Sequence, residues 1–381
     1  MSVRLNSDNA KNWEGASEED ASKAKDKALP KFRIDWESTA EETTSDGVVH
    51  QLHKIYKPGE GDGEWVDGEK QKVSEEDGGW VESYENLSEE GDCWIEGNAK
   101  VFGHATVTGN AKVSGACKVF DQAVIGGDAK VEGNACIYGS ASVFGAAEVA
   151  DEAKVYGCAV ISGGKVSGKA QVSGNAIVRE KGTVSNTAKV QGYAIVEGAV
   201  RGAAVVEGCS RVLGEVKDKA RVSGIAIVKG TASGKTTIEG CAVIEGNVDE
   251  STIEGVAVVA AGGKMSKSEV LAGSAVWTNA AISEESMNGN VLATGDVSKG
   301  NVEGTLVAAG SLEQASISGA ACVTGSFNRS SAVGNLNVTG SLKKSMNGNA
   351  SVVSEPEKAI QGNYTGKTKW DEEADEKGED Q

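Results

Sequence analysis

KVFGHATVTGNAKVSGACKVF, residues 100–120, places Val at 101, 107, 113 and 119, each six residues after the last. An α-helix repeats its apolar face every three to four residues and a half-buried strand every two. A step of six fits neither, unless a turn closes each step. The residue two before each Val is small: Ala99, Ala105, Ala111 and Cys117. Alternate residues of a strand share a face, so the small residue and the Val point the same way. Gly103, Gly109 and Gly115 then stand where the chain must turn, in conformations that β-branched residues refuse.

The same cadence extends in both directions. Inward aliphatics run Ile95, Val101, Val107, Val113, Val119, Ile125, Val131, Ile137, Val143, Val149, Val155 and Ile161 without a break. Three strands and three corners close a coil of about 18 residues, and the next coil stacks about 4.8 Å away through parallel ladders. The spacing therefore predicts an all-β protein, a single-chain triangular parallel β-helix. After Ile161 the step to Val166 is five residues. A 6+6+4 pattern follows through Val184, Val190, Val196 and Val200, which makes coils of 16 residues. From Ile282 through Met287, Leu292, Val297, Val302 and Val307 to Leu312 and Ile317 the step is five, which makes coils of 15. Continued to Val353, the rod would hold roughly 15 coils over about 70 Å.

The ends read differently. Residues 1–31 form a flexible acidic segment with a short helix capped by Ser17 and stopped by Pro30. Residues 32–92 hold Trp36, Tyr56, Trp65, Trp80 and Tyr84 and read as a small β-rich cap packing those rings over the first coil. The regular hexads occupy 93–165, the tighter coils 166–353, and 354–381 reads as a disordered acidic tail.

Composition agrees with a repeat. The chain has 51 Gly but 3 Pro, and aromatics are 5% of its 381 residues. A conventional core of that size uses more Leu and Phe. The net charge of −18 disfavours binding to nucleic-acid phosphates or anionic membranes. No apolar run is long enough to span a bilayer, and residues 1–30 lack an apolar signal core. Seven scattered Cys without paired short spacings suit reduced thiols in a cytosol and give no zinc pattern.

The block GGWVESYENLSEEGDCWI (Gly78–Ile95) running straight into hexads resembles the YdcK-like hexapeptide-repeat proteins and similar phage and prophage repeat proteins. Trp80, Asn86, Leu87, Gly91, Cys93 and Trp94 carry the likeness, which covers about residues 35–165. It implies a left-handed β-helix, a cytoplasmic or phage-particle setting, and an acyltransferase label that rests on repeat type alone. The middle segment GEVKDKARVSGIAIVKG (Gly214–Gly230) resembles the bactofilin type of β-helix as well.

Chemistry is sparse. Hexapeptide acyltransferases use acetyl-CoA or another acyl-CoA with a His base, and His104 in the GHAT corner is the candidate; an exposed turn residue in the slot of Asn98 and Asn110 is the plainer reading. His50 and His53 are three apart with no further spaced ligands for a metal. SGGKVSGK and GTASGKTTIEG resemble phosphate loops, but their Gly fall on the corner cadence. Cys93 and Cys117 take the small inward slot, whereas Cys136 points outward.

One wall gives the sharpest expectation. Residues 18 apart stack, so Phe102, Phe120, Tyr138 and Tyr156 form an outward column beside Lys100, Lys118, Cys136 and Lys154. Such a stripe marks an interface with a second copy, another protein or a glycan, or else a ladder of rings bracing its own sheet. With no cofactor motif present, these residues point to a non-enzymatic structural or interaction rod, most simply a homo-oligomer. Acyl transfer and acidic mimicry of nucleic acid are the alternatives.

Overall fold

The computed structural model of the chain describes residues 30–58 and 74–249 continuously, with short strands at 65–66 and 69–70 and a series of strands between 252 and 369. The repeating unit is a two-residue strand such as Lys130–Val131, in which Lys130 is exposed and Val131 is buried. Val131 pairs in parallel with Val113 below and Val149 above. Three such strands and three corners make each coil, so the chain is an all-β triangular solenoid, as the hexads require.

Three faces result. Face I carries Lys100–Val101, Lys118–Val119, Cys136–Ile137 and their successors. Face II is a ladder of 10 strands from Thr106–Val107 to Val258–Val259, and face III one of 15 starting at Trp94–Ile95. Strand register tracks the sequence period. Val113 pairs with Val131 at an offset of 18, Val184 with Val200 at 16, and Met287 with Val302 at 15. The interior is a stack of Ala and Val or Ile, each fully buried from Ala99 to Ile161. Small and branched residues alternate so that three walls can meet without voids.

The corners need a left-handed residue. Gly115 takes φ 78° there, and a Cβ on it would lie 2.5 Å from the carbonyl oxygen of Gly133 in the next coil. Four corners use other residues, Asp121, Asp151, Asn186 and Asp218, at φ 62–66°. The aspartates offset the strain the same way each time. Asp121 accepts from the Gly139 amide at 2.9 Å, Asp151 from Gly168 at 2.8 Å and Asp218 from Gly234 at 3.1 Å. Each carboxylate thus ties its corner to the corner above.

The cap is built from β1 (Arg33–Thr43), β2 (Val49–Pro58) and β3 (Ser74–Val81), with β1–β2 and β2–β3 antiparallel. β3 then pairs in parallel with Lys100–Val101 and so is the first rung of face I. Leu87 bridges to Val107 on face II, and Trp94–Ile95 opens face III. The cap therefore supplies the first rung of face I and bridges to the first strand of face II, as the end of a solenoid requires. Asn86 locks the turn between them. Its Oδ1 accepts from the Glu82 and Ser83 amides, and its Nδ2 donates to the carbonyls of Gly103 and Ala105 at 3.1 and 2.8 Å.

Several expectations are corrected. Trp36 and Tyr84 do not seal the cap; they are 55% and 49% exposed, and Phe32, Ile34, Leu52 and Ile55 fill it instead. A β-bulge between Asp35 and Ala40 breaks the alternation at Trp36, and Tyr84 lies beyond β3 in the short 3₁₀ turn Tyr84–Asn86. Val307, expected inward, is 39% exposed in the middle of Leu306–Ala308, so that strand is offset by one residue from the five-residue count. Strands Tyr364–Thr365 and Thr368–Lys369 lie in the expected disordered tail and pair in parallel with Met346–Asn347 and Ala350–Ser351. The GNYTGKTK stretch, 362–369, keeps Gly, Tyr and Thr in the β cadence. The helix expected after Ser17 and the side chain of Trp65 lie outside the described residues.

Candidate interaction surfaces

The 18-residue register brings the four aromatic residues of face I together. Phe102, Phe120, Tyr138 and Tyr156 stack with centroids 5.1, 5.1 and 5.0 Å apart and planes within 5°. Parallel ladders hold equivalent side chains about 4.8 Å apart, near the contact distance of two rings. The faces of the rings are consumed by one another, so edges point to solvent. A sugar ring that packs on an aromatic face has none to use along the column.

The column is not free along its whole length, contrary to the expectation. Phe102 is only 2% exposed, because the cap folds back over it and the His50 ring lies 5.0 Å away. Lys100 and Lys118 are not free rim charges either. Their Nζ atoms grip the two oxygens of Glu42 on β1, each at 2.7 Å. Burial pushes the Glu42 carboxyl up, but the hydrogen bonds and charges of Lys100 and Lys118 outweigh it and hold the group below the usual range. Phe120, Tyr138 and Tyr156 are half-buried and Lys154 is exposed. The geometry makes this column first of all a brace between coils and cap.

At the corner beside it, a cleft of about 610 Å³ lies between the cap and the rod, lined by His50, Glu82, His104 and Asp121 among others. His50 Nδ1 is 2.9 Å from Glu82 Oε2, which also accepts from the Gly103 amide at 2.7 Å. His104 is exposed at its corner, as its slot implied. His53 faces the other way, its Nδ1 2.8 Å from the Ser38 carbonyl, so the two cap histidines do not converge on a metal. The GKT of GTASGKTTIEG falls between strands Thr231–Ser233 and Thr237–Ile238, with Gly234 at a corner, and enters no helix.

The thiols divide by burial. Cys93 and Cys117 are fully buried, and desolvation pushes the Cys117 thiol up to about 11. Desolvation raises Cys136 too, against the pull of Lys154 and Lys118, so neither is poised as a thiolate at neutral pH.

Face II carries a feature the sequence reading missed. Its outward positions before each inward aliphatic include Val124, Val160, Ile177, Ile195, Ile227 and Val243. Val124 is 42% exposed, and beside this column Phe144 and Leu213 are 43% and 38% exposed. The neighbouring outward column holds charges. There Arg179 reaches Glu197 at 2.7 Å and Lys229 reaches Glu245 at 2.7 Å, while Arg211, which interrupts the aliphatic column between Ile195 and Ile227, reaches across to Glu197 at 2.9 Å. The hydrogen bond from Arg211 is the main reason the Glu197 carboxyl is held below its usual range.

Comparison with family models finds no match, and comparison with curated proteins finds none either. The functional reading rests on the geometry of the chain itself.

Proposed function

We propose that this chain is a non-enzymatic structural or interaction protein, an elongated β-helical rod that associates through a flat wall with copies of itself or with a partner protein. One observation carries the reading: from Trp80 to Asp249 every coil stacks on the next through short corners, and no inserted loop shapes an acceptor site among the described residues. Such a rod is a row of equivalent surfaces, suited to long planar contacts. The YdcK-like and phage-type resemblance of the Gly78–Ile95 block supports the same reading and suggests a cytosolic or phage-particle setting. Sedimentation of the intact chain, paired with affinity capture, tests it. A single-chain mass at every concentration, with nothing captured, would sink the proposal.

One observation favours a second reading. His104 shares the 610 Å³ cleft with the His50–Glu82 pair, a place where an acyl-CoA could meet a base. Calorimetric titration with acetyl-CoA decides it. Binding abolished by His104→Ala or His50→Ala would favour an acyltransferase, and the absence of any heat would remove it.

A further inference from the structure

We infer that face II is a self-docking surface, and that two copies of this chain pack it face to face with their rods antiparallel. The inference rests on the proposal that the rod self-associates, and it names the wall and the register.

Ten strands spaced about 4.8 Å apart give a ladder about 43 Å long, and one wall of the prism is about 15 Å wide. Two such faces in contact bury roughly 1,300 Å² in all, within the range of stable, specific interfaces. Flat sheets pack about 10 Å apart when their outward residues are apolar, and this face presents a column of Val and Ile broken by Ser142 and by Arg211, whose guanidinium is drawn aside to Glu197. The column's aliphatics other than Val124 are half-buried, and covering the apolar area they still show to water is favourable in proportion to that area.

Charge then selects the orientation. A dyad lying in the interface, across the rods, reverses their direction but leaves each column over its own counterpart. The aliphatic column meets the aliphatic column, and the charged column meets the charged column in reverse order. A dyad running along the rods would instead exchange the columns and set aliphatics against ions. With the crossing point midway between the Ile177 and Ile195 rungs, Ile177 lies over Ile195 of the partner subunit. Arg179 then lies over Glu197 of the partner subunit, and Glu197 over Arg179 of the partner subunit. Two rungs further out on each side, Phe144 meets the stem of Lys229 of the partner subunit, and beyond it Val124 meets Val243 of the partner subunit. Moving the crossing point by half a rung would put like side chains over each other, Glu197 on Glu197 or Arg179 on Arg179, and like charges across an interface suppress association.

Complementation in trans tests this register. Wild-type chain should sediment as a dimer. Ile195→Asp should keep its circular dichroism, because the residue points outward, yet weaken the dimer about a hundredfold or more. Arg179→Glu and Glu197→Arg should each be monomeric alone, since all facing charges become alike. Mixed one to one they should form a heterodimer, because every facing pair is then opposite. Loss of the intrachain Arg179–Glu197 pair cannot explain that rescue, as mixing does not restore it. A mixture that stays monomeric overturns the antiparallel register. A wild-type dimer that survives Ile195→Asp overturns face II as the surface while leaving self-association standing. A wild-type monomer removes both.

Discussion

Phe102 and Phe120 lie with ring centroids 5.1 Å apart and planes 5° from parallel, one coil apart on face I. The stack continues through Tyr138 and Tyr156, and it ends under the cap. A column of this kind couples coil to coil, and each offset pair contributes about 0.5–1.5 kcal/mol beyond its burial. Phe120→Ser with Tyr138→Ser breaks three contacts and should cost about 2–4 kcal/mol. The expected result is a lower melting temperature with an unchanged sedimentation coefficient. A monomer of undiminished thermal stability would show instead that these rings serve association.

Val131 tests the core. It is fully buried between Val113 and Val149, and Val131→Asp would put an unpaired charge in a dry prism at a cost of at least several kcal/mol. Nearest-neighbour stability makes the damage local before it is global. Hydrogen exchange should lose protection from Val113 to Val149 first. Unchanged protection there would refute the inward assignment.

The Glu42 clamp gives a pH dependence. Its carboxyl titrates below the ordinary value in the folded chain, so the folded state favours the ionised form. The stability it adds is fully present above the unfolded value, about 4.5, and is lost as pH falls through the lower folded value. Cap unfolding in wild type and Glu42→Gln, followed by the fluorescence of Trp36 and Trp80, should differ by a constant amount at pH 6–8, an interval about 1.5 units or more above that titration. The two should converge in acid. A difference that persists below both values would contradict the clamp.

Asn86 holds the junction of cap and rod. Asn86→Ala leaves two amides and two carbonyls short of partners, each costing about 1–3 kcal/mol if water cannot reach it. The cap should detach before the rod melts, giving two transitions in denaturant where wild type shows one. A single, unshifted transition would mean the turn is held elsewhere.

The rod was legible because its period is written in residue types that have one physical reading. Ile95 to Ile161 recur at six, and every member of the series is buried. The cap was less legible. Glu42 meets Lys100 58 residues away, and no local pattern announces a hairpin folding back over a wall, so Phe102 looked exposed. Face II was missed for a different reason. Its aliphatics Val160, Ile177, Ile195 and Ile227 are separated by coils of 17, 18 and then twice 16 residues, with Arg211 on the rung between the last two, so counting by 18 scatters them. Reading the residue before the inward aliphatic on every third strand recovers the column, and that signal was present throughout.

The most direct measurement is sedimentation velocity of the intact wild-type chain, from low micromolar to about 100 µM, a span that resolves dissociation constants in the micromolar range. The account predicts an elongated particle of twice the chain mass that dissociates on dilution. A particle of single-chain mass across the whole range would contradict it.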